Sequence, residues 1–280
     1  MLPSCLKSLN FFISCPKLDT IFPSASPFTG LEELLITKCS ELETLPDRIG
    51  HLLPCLRKLV IHALVGLIRL ELTECWQLSG PPAGLPPSLE TLCLGPFREE
   101  DSSHVVDISG LSQLRVLKLN CVVVRCGPAV SSMLPCLQQL EQLEMRLERD
   151  SEELLIPLML LPRLRSMLIE APDICSLPEN LATVLPELRQ LELRSWSPEE
   201  LPGSIVELSS LTTLIVNAPQ LTSLPQGMSR LSRLRKLELI RCTALQHLPE
   251  CLTQLHRLIL HGTSVSSLPA DFVQLTAEEH

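Results

Sequence analysis

Leucines and polar residues follow one another along this chain in a recurring order. Its clearest copy is the stretch 234–255, LRKLELIRCTALQHLPECLTQL. Leu234, Leu237 and Leu239 show the period-2 alternation of a short strand with one face buried. Cys242 closes that strand, and Leu245 and Leu248 turn inward along a return segment. Pro249 follows, at a point where losing a backbone donor costs little. A unit of this size cannot bury its own leucines, but stacked on copies of itself it can.

Alignment on the first leucine of L-x-x-L-x-(L/I) gives starts at Leu6, Leu31, Leu56, Leu67, Leu89, Leu114, Leu140, Leu164, Leu188, Leu211, Leu234 and Leu255. All but one of the steps fall within about 20–29 residues, the range of leucine-rich repeats. The exception is the 11-residue step from Leu56 to Leu67. The pattern predicts an α/β leucine-rich-repeat solenoid, a horseshoe with a parallel sheet on its concave face. Its convex side is expected to be irregular, 3-10 or briefly helical. One domain of about eleven repeats spans residues 1–280 in this reading, irregular at 56–87 and 95–163. At 56–87, a truncated unit and one long repeat fit equally well. Neither end carries the polar capping unit that an open stack needs, so the expectation is a piece of a longer protein.

Composition supports a layered core. The 280 residues include 62 leucines and no tyrosine, with aromatics at 3%. Near-identical leucine layers do not need large rings to fill irregular space. The 24 prolines are spread along the chain, which excludes a helical bundle. A net charge of −9 disfavours binding to nucleic acid or to an anionic membrane. The first residues lack a basic region and unbroken apolar run, and the longest apolar run, 154–161, is far short of a spanning helix. A cytoplasmic chain is expected, its twelve cysteines reduced and packed as small apolar residues.

Three turns, CPKLDTI (15–21), CSELETL (39–45) and CTALQHL (242–248), share C-x-x-L-x-x-(L/I); APQLTSL (218–224) reads as a variant with proline in place of cysteine. They join return segments LPENLATVL, LPGSIVEL, LPQGMSRL, LPECLTQL and LPADFVQL. In these features the chain resembles the C-terminal leucine-rich-repeat region of plant nucleotide-binding disease-resistance receptors. That resemblance implies ligand sensing and autoinhibition in innate immunity. The implied partner is a pathogen effector, a host target or the receptor's own nucleotide-binding domain. Stand-alone plant Ras-group scaffolds and some bacterial effectors use similar units, so a cytosolic signalling scaffold is the alternative. No phosphate-loop motif G-x-x-x-x-G-K-(S/T) occurs in the sequence.

In such a stack, positions 3, 5 and 7 of each unit face outward from the strands. The candidate protein-binding residues read there are Glu144, Arg146, Leu168, Glu170, Glu192, Arg194, Ile215, Asn217, Glu238, Ile240, Arg257 and Ile259. Glu144, Glu192 and Glu238 recur at the central position, and Leu168, Ile215, Ile240 and Ile259 supply an apolar set. An apolar centre with charged surround fits a protein interface. The alternative is that glutamates and arginines neutralise one another on a solvated sheet. Trp76 is a possible hot spot, whereas Trp196 stands at a framework cysteine position and is expected to be structural.

Cys242, His247, Cys251, His256 and His261 form the densest cysteine–histidine run, but the repeat sends their side chains apart. No metal and no cofactor is expected. No C-x-x-C, G-x-S-x-G, H-E-x-x-H or G-x-G-x-x-G motif is present. No catalytic residue is assigned, and the expected role is non-catalytic protein recognition without nucleic acid or membrane.

Overall fold

The computed structural model describes residues 6–12, 29–37, 42, 45, 49–62, 66–72, 78, 85–95, 107–119, 133–146, 160–170, 180–250 and 252–269. The chain divides into two compact units, Met1–Arg146 and Leu147–His280. Twelve strands are present among the described residues, each beginning two residues after one of the twelve repeat leucines. In the first unit these are β1 (Ser8–Phe12), β2 (Glu33–Thr37), β3 (Lys58–His62), β4 (Arg69–Leu72), β5 (Thr91–Leu94), β6 (Val116–Leu119) and β7 (Gln142–Arg146). The second holds β8 (Ser166–Glu170), β9 (Gln190–Arg194), β10 (Thr213–Asn217), β11 (Lys236–Ile240) and β12 (Arg257–His261). Neighbours are parallel and follow chain order, so the fold is a leucine-rich-repeat solenoid.

Why the leucines recur at threes before each strand is visible in the backbone. The Leu208 amide donates to the Ile205 carbonyl and the Leu211 amide to that of Leu208. The same i to i−3 steps join Met228, Leu231 and Leu234, and again Leu134, Leu137 and Leu140. Three residues per turn put every third side chain on one face, and all nine of these side chains are buried. The chain then extends, and the inward period drops to two: Leu214 and Val216 on β10, Leu237 and Leu239 on β11, each 0% exposed.

The uncertain stretch after Leu56 resolves into two strands. β3 pairs with β2 and buries Leu59 and Ile61, while β4 pairs with β5 and buries Leu70 and Leu72. Residues 63–68 alone connect β3 to β4. A parallel crossover needs a dozen or more residues, so β3 ends a three-stranded sheet and β4 opens another.

One turn departs from the sequence alignment. Ser195, Arg241 and Gly262 each stand seven residues after a repeat leucine, and each takes a left-handed backbone with φ of 53°, 53° and 66°. Trp196 and Cys242 follow the first two and are fully buried. The unit starting at Leu211 lacks that extra residue, so Ala218 occupies the buried turn position, and Pro219 is exposed. Alanine, not proline, therefore replaces the cysteine.

Candidate functional site

The register of the second unit lines its outward residues into three rows. The middle row reads Leu168, Glu192, Ile215, Glu238, Ile259. Apolar and acidic side chains thus alternate at one strand spacing, about 4.8 Å. The first row is Ser166, Gln190, Thr213, Lys236 and Arg257; the last holds Glu170, Arg194, Asn217, Ile240 and His261. Ile240 therefore sits one row away from the other apolar residues, in register with Asn217 and His261. The apolar set is interrupted by carboxylates and does not form one contiguous centre.

Both carboxylates are neutralised on their own strands. Arg194 Nε donates to Glu192 Oε1 at 2.7 Å, and Lys236 Nζ lies 2.8 Å from Glu238 Oε1. These pairs hold the Glu192 and Glu238 side chains to 13% and 15% exposure. Leu168 and Ile259 stay half-buried, and Ile215 is nearly covered. The middle row thus presents apolar positions between glutamates whose charge is already met.

Glu144 and Arg146 fall on β7, in the first unit. The middle row there runs Glu71, Cys93, Lys118, Glu144. Glu71 pairs with Arg69 of its own strand at 2.8 Å, and Lys118 reaches across to Glu144 at 3.5 Å. Cys93 faces outward yet is buried, with its Sγ 3.7 Å from Glu71 Oε1. Burial, and then the neighbouring Glu71 charge, push this thiol up to about 12.

Trp76 lies outside the described residues. Trp196 is fully buried in the turn after β9, as expected of a framework position, and its indole N–H meets no acceptor among the described residues. The cysteine–histidine run does not converge. Cys242 is buried with its Sγ 3.6 Å from the Val216 and Ile240 carbonyls; His247, His256 and His261 are exposed, and Cys251 lies outside the described residues. Among the described residues, no group of three or more His, Cys, Asp or Glu side chains is placed to hold a metal ion. No helix among them is long and apolar enough to cross a membrane.

The outward-position reading passed over the residue directly after each repeat leucine. In the second unit the amides of these residues join hand to hand: Arg189 to the Arg165 carbonyl, Thr212 to Arg189, Arg235 to Thr212 and His256 to Arg235, at 2.7–2.8 Å. In the first unit the same bonds join Lys7, Glu32 and Arg57, and then Ile68, Glu90, Arg115 and Glu141. There the charges alternate. Lys7 and Glu32 pair at 3.1 Å, and Arg115 and Glu141 at 2.7 Å. The bond from Lys7, its charge and that of Arg57 hold the Glu32 carboxyl below its ordinary value, and Glu141 raises Arg115. Reading position 2 of each unit down the sequence would have found this row.

No protein-family model matches the chain, and no curated protein is similar to it in sequence. Among solved structures, a leucine-rich-repeat protein of Leptospira interrogans is similar at 20% identity, over 89% of this chain and 76% of that one, with a TM-score of 0.42. An internalin of Listeria monocytogenes is similar at 17% identity, over 89% of this chain and 79% of that one, with a TM-score of 0.46.

Proposed function

We propose that the chain is a non-catalytic recognition module whose outward β8–β12 face binds a protein. In this reading it is the sensing and autoinhibitory region of a plant-type intracellular immune receptor. The observation that carries the binding role is the middle row Leu168, Glu192, Ile215, Glu238, Ile259. Its carboxylates are charge-balanced on their own strands, so docking over them does not bury a bare charge. The half-buried Leu168 and Ile259 remain as apolar contact points. The immune role is supported by the C-x-x-L-x-x-(L/I) turns and L-P return segments. Its implied partners are a pathogen effector, a host target or a nucleotide-binding domain.

The test immobilises the chain and adds, separately, plant cytosol and a nucleotide-binding domain of the receptor class. Capture of that domain or of a defined cytosolic protein is expected. Leu168→Asp with Ile259→Asp should lower it about tenfold or more, as loss of central apolar contacts does. Val116→Asp, on the corresponding face of the first unit, should leave it unchanged. Equal capture by all three folded proteins would return the face to plain solvated sheet.

A further inference from the structure

We propose that the strand-entry edge of β9–β12 is a second binding surface, one that takes an acidic, extended protein segment. It adjoins the outward face, sharing Arg257 with that face's first row, and does not depend on the middle row. The ladder Arg189, Thr212, Arg235, His256 is joined amide to carbonyl at every step, so its members stand about 4.8 Å apart. Arg233 and Arg257 flank it at the same edge, and these four arginines and His256 are exposed; Arg165, one step before Arg189, is paired with Glu187 at 3.3 Å and lies outside the proposed surface.

The corresponding row of the first unit shows what this repeat does when it neutralises itself. Lys7 against Glu32 and Arg115 against Glu141 alternate in sign and bridge neighbouring strands. In the second unit Arg189, Arg233 and Arg257 meet no carboxylate among the described residues, and the Arg235 guanidinium donates only to the Gln254 carbonyl, at 2.8 Å. Like charges on adjacent strands oppose one another, and the chain as a whole is acidic at −9. A cationic row kept on such a chain is complementary to a short run of carboxylates. Guanidinium groups suit them well, because each fork can take a carboxylate with two parallel bonds.

The row is too short for a longer polyanion. Four arginines and a histidine fall below the roughly six to ten phosphate contacts of a typical duplex-binding protein. A nucleic acid or an anionic bilayer would also be opposed by the chain's net charge of −9. A peptide segment with acidic side chains along one side matches both the length and the sign of the ladder.

The probe is a fluorescein-labelled peptide of ten glutamates, followed by anisotropy with the full chain at about 50 mM salt, where surface charges are weakly screened. Saturable binding is expected, and the triple variant R189E/R235E/R257E should raise Kd about tenfold or more, as reversal of a charged rim does. R115E, in the paired row of the first unit, should change Kd by less than about twofold. Circular dichroism checks the fold, and R189Q/R235Q/R257Q replaces the triple variant if charge reversal prevents folding. Absence of saturable binding, or equal binding by wild type and a folded triple variant, would overturn the proposal. So would tighter ladder-dependent binding of a ten-residue oligothymidylate or of phosphatidylserine vesicles, which would assign the row to nucleic acid or membrane.

Discussion

The two compact units share one framework and differ on its surface. Inside, Leu92 of β5 and Leu237 of β11 occupy the same strand position, and both are fully buried. Outside, the first unit spends its charges on itself: Lys118 reaches Glu144 and Arg115 reaches Glu141, each across one strand gap. The second unit pairs Glu192 and Glu238 within their own strands, separates them with Ile215, flanks them with Leu168 and Ile259, and lines its entry edge with Arg189, Arg235 and His256. A repeat constrains its inward positions through packing and leaves the outward ones open. Where those outward positions stop satisfying one another, they are available to a partner.

The largest effects are expected in the framework that the two units have in common. Leu92→Ala and Leu237→Ala each remove a fully buried side chain from a repeat layer. Each should cost about 2–5 kcal/mol, the transfer loss plus the residual cavity. Urea unfolding followed by circular dichroism measures both. Similar losses would show that the units are equally well packed, so that surface alone separates them. A loss at either site below about 1 kcal/mol would mean that its layer collapses around the gap, and the shared framework would not hold.

A second contrast is chemical. Cys93 stands in the outward middle row beside Glu71, and Cys242 lies in the turn after β11. Both thiols are raised by burial, Cys93 to about 12. In the unfolded chain a thiol ionises near 9.0, while folded Cys93 keeps its proton to about 12. The unfolded state therefore binds fewer protons within that window, and stability falls as pH rises through it. Below the unfolded value the contribution is fully present. The urea midpoint of wild type should drop between about pH 9 and 11, and Cys93→Ala should drop less. Cys242 leaves the variant a residual slope. Parallel profiles for the two proteins would mean that Cys93 is not held protonated by its surroundings.

Eleven of the twelve strand starts could be read from the leucine pattern, because period-2 burial leaves few choices for Leu237 and Leu239 once Leu234 is placed; the 11-residue step from Leu56 left open whether Leu67 begins a strand of its own. The turns were less legible. Whether Ala218 or Pro219 fills the core depends on one left-handed residue, present as Ser195 and Arg241 in neighbouring units and missing between them. The repeat starts do not register that deletion; only the spacing into the turn does, ten residues from Leu211 to Leu221 against eleven from Leu234 to Leu245. At the candidate face, sequence identified the outward residues but not their pairing. Glu192 could have bridged to a neighbouring strand, and the side-chain torsions that bring Arg194 to it within 2.7 Å are not encoded in spacing. The entry-edge ladder was legible, but only by reading down one repeat position, since along the chain each arginine looks like an ordinary solvated charge.

The smallest expected effect bears most directly on that ladder. Arg115→Ala deletes one side of an exposed cross-strand pair with Glu141, whereas Arg235→Ala deletes a cation whose row neighbours are Thr212 and His256. Exposed ion pairs contribute little, and salt screens what they contribute. Arg115→Ala should therefore lower the urea midpoint slightly at low salt, and the difference should vanish near 1 M salt, where the Debye length is about 3 Å. Arg235→Ala should leave the midpoint unchanged or raise it, since it removes a cation from a row that includes Arg189 and is flanked by Arg233 and Arg257. Opposite signs at low salt would show that the first unit's row works for the fold and the second unit's does not. If Arg235→Ala instead lowers the midpoint as Arg115→Ala does, the arginine stabilises its own strand. The bond from its guanidinium to the Gln254 carbonyl would then account for its presence without any acidic partner.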